Sequence, residues 1–148
     1  MAALKLCVMG WALPGFPRIK LWQDTADKLG IETEGLRRIR PDLEKFNFPL
    51  MNPDSVAPLP VRWIYILKSH HNPETLFEPI RGLERFTPLR SNTYRVRYMD
   101  GMALKAEHLK LCGQLAGRIH LSRITRPEHG FELDGLVERI LDDIRANP

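Results

Sequence analysis

The chain has 148 residues, 43% of them hydrophobic, and a formal net charge of +4. That length supports one domain, residues 1–148, with a core of its own, and excludes a catalytic domain plus an independent regulatory one. No apolar run approaches the roughly 18 residues that a membrane span needs. Residues 3–9 carry a lysine and are too short for a signal-peptide core. Two cysteines, Cys7 and Cys112, give no disulfide framework and fit a reducing compartment, so a cytoplasmic protein is expected.

In chain order, residues 4–9 predict a short strand, broken by Gly10 and by a turn at Pro14-Gly15. A short extended piece leads to Trp22 and then to a helix with Asp24 as its N-cap, Ala26 and Leu29 on one face and Gly30 as its stop. Thr33 is a second good N-cap and predicts a short helix to about Ile39, limited by Pro41. Residues 44–50 read as extended. Residues 49–60 hold four prolines, which no helix tolerates, and predict a surface loop.

Residues 61–67, Val-Arg-Trp-Ile-Tyr-Ile-Leu, form the strongest strand pattern and are apolar enough to be covered on both faces. The run His70-His71-Asn72-Pro73 ends it, and the pattern beyond becomes helical. Short helical pieces are expected over 82–89 and 92–99. Leu104, His108, Leu111, Cys112, Leu115 and Ala116 predict a helix over 102–117. A strand over 120–124 follows. Leu133, Leu136, Val137, Ile140, Leu141 and Ile144 then give an apolar stripe for a final helix. The pattern is that of an α/β layered domain.

The sequence contains no Gly-x-x-x-x-Gly-Lys-Ser/Thr loop, no Gly-x-Gly-x-x-Gly and no Gly-x-Ser-x-Gly elbow. A phosphate loop needs glycines so that successive N–H groups converge on oxyanions. Residues 10–15 have glycine but also proline where donors are required. His70 and His71 are adjacent, so on a strand they point to opposite faces and make a poor metal pair. His108 and Cys112, four apart on one helix face, present two ligand types, yet both fall in the apolar stripe. They read first as core. Asp24 and Asp27 lie in a helix's first turn, where carboxylates stabilise without chemistry. Trp22 and Trp63 read as core aromatics.

The basic run Arg37-Arg38-Ile39-Arg40 suits either an anionic partner or a solvated helix end. No basic stripe interleaved with aromatics accompanies it, so nucleic acid is not expected as the partner. Arg40 and Lys45 flank the turn at Pro41 and are the candidates for contacting a phosphate or a protein partner.

Three stretches taken together carry a resemblance. They are Gly15-Phe-Pro-Arg-Ile-Lys-Leu-Trp-Gln-Asp24, Arg38-Ile-Arg-Pro-Asp-Leu-Glu-Lys45 and Pro60-Val-Arg-Trp-Ile-Tyr-Ile-Leu67. They resemble the C-terminal part of HPr-kinase-like proteins. These are P-loop serine-kinase homologues related in fold to HPr kinase/phosphorylase and phosphoenolpyruvate carboxykinase. Tyr94-Arg-Val-Arg97, Ala106-Glu-His-Leu-Lys-Leu-Cys112, Ser122-Arg-Ile-Thr-Arg-Pro127 and the terminal amphipathic helix follow in a similar order.

The resemblance covers the chain from Gly15 onward and rests on the order of its pieces, none of which is a catalytic signature. It implies an α/β fold: a partial P-loop kinase sheet with a helical C-terminal half. The family transfers phosphate from ATP, with magnesium, to a serine. Its phosphate loop and magnesium-binding acid lie upstream of the matched region, so no catalytic residue carries over and no cofactor is evident. The implied protein is a truncated or divergent relative without autonomous kinase activity. Under this reading a second chain is a candidate partner that completes the fold or its site. The alternative is a non-catalytic protein- or peptide-binding module on the same scaffold. A family sheet cut near its middle exposes the edge of the 61–67 strand. The expected remedies are a homodimer or a gap filled by residues 4–9.

Overall fold

A computed structural model describes residues 5–7, 10–13, 17–50, 57–94, 96–99, 101–130 and 132–148. Within them the chain is mixed α/β, with small sheets and four α-helices. It divides into two compact units, Met1–Cys7 with Trp11–Leu59, and Val8–Gly10 with Pro60–Pro148.

In the first unit β1 (Lys5–Cys7) pairs antiparallel with β2 (Trp11–Leu13). β3 (Arg18–Trp22) pairs antiparallel with β4 (Lys45–Pro49), from Arg18↔Pro49 to Trp22↔Lys45. Alternation along β3 and β4 puts Ile19, Leu21, Phe46 and Phe48 on one side, and Phe46 is buried. Arg18, Lys20 and Trp22 take the other. α1 (Gln23–Lys28) begins directly after β3 and buries Ala26 completely. β5 (Leu59–Pro60), where the chain passes to the second unit, flanks β2.

The second unit is built on a three-stranded sheet in the order β6-β8-β7. β6 (Trp63–His70) runs parallel to the central β8 (His120–Pro127), and β7 (Leu76–Pro79) runs antiparallel to it. A parallel pair needs a long crossover. Here it passes through β7, a 3-10 turn at Gly82–Arg85, α2 (Phe86–Ser91), a second 3-10 turn at Val96–Tyr98 and α3 (Lys105–Ala116). α4 (Leu133–Ala146) follows β8.

Alternation divides the work of this sheet between its faces. Ile64 and Ile66 of β6 share a face with Leu121 of β8. That face meets α2 and α3 in a core of Ile66, Ile80, Leu89, Cys112, Leu115, Ile119 and Leu121. Trp63 and Tyr65 lie on the opposite face with His120, Ser122 and Ile124, and α4 bonds to it. The sheet is therefore covered on both sides over residues 63–66. Farther along, Leu67 is 58% exposed, so the expectation of full coverage fails at the end of β6.

Other expectations need correcting too. No helix forms between Thr33 and Ile39. Gly35 takes a left-handed φ of 81°, a turn closes from Leu36 N–H to the Thr33 carbonyl, and Arg38 bridges to Phe46 of β4. The N-cap of α1 is Trp22, and Asp24 sits inside the first turn, accepting from Thr25 N–H at 2.8 Å. The stop at Gly30 stands, with φ at 64°. β6 runs through His70 rather than ending before it. Lys5–Cys7 pairs with β2, so this strand does not fill the gap beside β6. Leu4, Val8, Met9, the Pro14-Gly15 turn and residues 51–56 of the proline loop lie outside the described residues.

Candidate functional site

The polar groups of the second unit converge where α4 crosses the start of β8. Leu136, Ile140 and Ile144 turn the apolar stripe of α4 inward, while Leu133, Val137 and Leu141 are each more than 40% exposed. Asp143 lies three residues after Ile140 and seven after Leu136, so helical geometry delivers a carboxylate to the packed side. Tyr65 O–H donates to its Oδ2 at 2.7 Å, and His120 Nε2 lies 3.1 Å from the same oxygen. Asn147 Nδ2 donates to Oδ1 at 3.1 Å. Trp63 Nε1–H donates to the Asn147 carbonyl at 2.7 Å. The parallel register assembles the set, placing Trp63 opposite His120 and Tyr65 opposite Ser122.

Burial first, and then the hydrogen bond and charge of Asp143, push the Tyr65 phenol above its ordinary value. The neutral hydroxyl is the form that folds into this site, because only it can donate to the carboxylate.

Ser122, His120 and Asp143 invite comparison with a catalytic triad. The geometry decides against it. Ser122 Oγ lies 2.9 Å from His120 Nε2, the same nitrogen that faces Asp143. A triad needs the two partners on opposite ring nitrogens, so that one orients the imidazole while the other yields its proton. Ser122 is also only 2% exposed. The cluster fastens α4 to the sheet.

Beside it opens a cavity of about 340 Å³, near the lower end of the usual small-molecule range. His120 and Asp143 form part of its lining, with Phe77, Pro79, Arg81 and Arg85 among the remainder. Arg85 is half-buried and held by two carbonyls, with Nε–H donating to Ile80 O and Nη1–H to Ala116 O, each at 3.0 Å.

The residues singled out from the sequence do not join this site. Lys45 Nζ lies 4.4 Å from the centre of the exposed Trp22 ring, a cation–π contact. Arg40 is exposed on a turn closed by Leu43 N–H to its carbonyl. His70 Nε2 contacts Glu74 O and His71 Nδ1 contacts Glu128, so the two rings have separate partners. His108 and Cys112 do meet, with Sγ 3.4 Å from Nε2, but Thr93 Oγ1 takes the same nitrogen at 2.8 Å. Burial pushes the Cys112 thiol up, against a smaller opposing pull from Arg90. That environment suits a packed thiol rather than a ligand or nucleophile. Asp27 Oδ1 accepts from Gln23 Nε2, and Asp24 serves its own turn. Among the described residues no group of three or more His, Cys, Asp or Glu is placed to hold a metal ion. No described helix is long and apolar enough to cross a membrane.

Tyr65, His120, Ser122 and Asp143 are absent from the chemistry legible in the sequence, because each belongs to a strand or helix pattern that already explains it. The usable signal was Asp143, a carboxylate inside an otherwise apolar helical stripe. No family model, curated protein or solved structure matches this chain.

Proposed function

We propose that this chain is a divergent HPr-kinase-like protein, related to ATP-dependent serine kinases, that has no kinase activity of its own. The observation that carries the second half of this reading is the sequence itself. It has no Gly-x-x-x-x-Gly-Lys-Ser/Thr, and phosphoryl transfer is almost wholly a matter of positioning phosphates and their metal. A chain without that loop does not fit ATP and magnesium in the manner of the family. The order of motifs from Gly15 supports the kinship, and the parallel β6–β8 pair with its helical crossover is compatible with it. The test is phosphoryl transfer from magnesium-ATP by the whole chain, which should not exceed the rate without protein.

The edge of β6 favours a second reading, a non-catalytic module that binds a peptide or protein strand on the same scaffold. Among the described residues no strand pairs with the outer edge of β6, and Leu67 stands exposed beside it. Such an edge is a template for strand addition, whether by another protein or by a second copy. Amide hydrogen exchange checks it. The outward N–H groups of β6 should exchange faster than those of β8 and slow down once a partner or a dimer forms. Equal protection of both strands in a monomer at every concentration would remove this reading.

A further inference from the structure

The cavity beside α4 holds two guanidinium groups with which no described carboxylate forms an ion pair. Arg85 and Arg81 both line it, and neither has an ion-pair partner among the described residues. A half-buried cation normally has a counter-charge, since taking it out of water is costly. The two carbonyls bonded to Arg85 satisfy two of its five N–H donors and fix the plane of the group. The remaining donors have no hydrogen-bond partner among the described residues. Arg81 is exposed and adds a second planar fork on the same wall.

The one carboxylate of the cavity, Asp143, is committed elsewhere. Tyr65, His120 and Asn147 occupy both its oxygens, on the α4 side. This leaves the arginine side positive, with Phe77 and Pro79 as neighbouring apolar wall. Planar guanidinium forks match the oxygens of phosphate and carboxylate groups better than any other common anion.

We propose that this cavity binds a small oxyanion-bearing ligand, its phosphate or carboxylate group seated on Arg81 and Arg85 and its flat apolar body against Phe77 and Pro79. Arg85 is the pre-positioned member, because its side chain is already immobilised before the ligand arrives. Arg81 is the adaptable one.

Calorimetric titration of the whole chain at low ionic strength tests it, since screening is then weakest. The probes are phenyl phosphate and benzoate, which share the flat ring and differ in the oxyanion. Saturable binding of either supports the site, and the tighter of the two identifies the group it prefers. Arg81→Gln, a change at an exposed position, should weaken that binding about tenfold or more. Arg85→Lys keeps the charge but cannot bridge the two carbonyls, and should also weaken it. No saturable binding of either probe up to about 10 mM, or equal affinity in Arg81→Gln, overturns the proposal.

Discussion

Replacing Leu121 by alanine should remove about 2–5 kcal/mol of stability, the range seen when a large aliphatic side chain is cut from a packed core. Leu121 is 1% exposed, stands on the central strand and touches a core drawn from β6, α2 and α3. A hole there cannot collapse easily, because the parallel pairing on one side and the antiparallel pairing on the other hold the backbone of β8 in place. Urea unfolding followed by circular dichroism should show the midpoint fall with an unchanged slope. Leu83→Ala is the control. That leucine is 96% exposed, and its loss should change stability by no more than about 0.5 kcal/mol. Equal effects from the two substitutions would mean that β8 is not the centre of this core.

Asp143→Ala should cost about 1–3 kcal/mol, since it strands the Tyr65 hydroxyl and takes one partner each from His120, which keeps Ser122, and from the Asn147 amide, which keeps the backbone carbonyl of residue 143. Its neighbour makes the comparison sharp. Asp142 is 72% exposed and pairs only with Arg145, itself 71% exposed, so Asp142→Ala should cost under about 0.5 kcal/mol. A second readout separates a lost clamp from general damage. Asp143 is one reason the Tyr65 phenol is held above its ordinary value, so removing it should bring that titration down toward the usual figure of about 10.

The sign of the pH effect follows from the same contact. The folded state raises the Tyr65 value and so favours the neutral hydroxyl. Its contribution to stability is complete below the ordinary phenol value, and it disappears as pH rises from there through the raised folded value. The wild-type protein should thus lose stability in strongly alkaline solution, and Asp143→Ala should lose less. Ultraviolet absorbance of tyrosinate, compared with Tyr65→Phe, measures the titration directly. Unchanged tyrosine titration in Asp143→Ala would contradict the assigned hydrogen bond.

Much of the second unit was legible because its patterns are long. The α3 and α4 stripes each sustain a helical period over several turns, and the run before His70 is short, β-branched and aromatic, which favours a strand over a buried helix. Short pieces failed for want of pattern. Thr33 looked like a helix cap, but Gly35 in a left-handed conformation turned the chain into a bridge with β4. β7 is four residues ending in proline, too short for alternation to register. It is tolerated because β7 is an edge strand, where the missing N–H faces no neighbour.

The site was less legible than the fold. Tyr65 and Asp143 are 78 positions apart, and only the parallel register of β6 on β8 brings the residues around them together. Arg40 and Lys45 lie in the first unit, where Lys45 has the Trp22 ring as a partner. Local spacing pointed to those two cations. Of the unanswered cations of the cavity, Arg85 sits in a segment that the sequence offered only as a short helix, and Arg81 just before it.

The reading of this chain as a kinase relative without phosphoryl-transfer activity is tested most directly by a radiolabel assay. The whole chain is incubated with magnesium and γ-labelled ATP, alone and with a seryl protein substrate, beside an active serine kinase as control. The account predicts label on the substrate only in the control, and no label on the chain itself. Label transferred by this chain at a rate above the protein-free blank would contradict it.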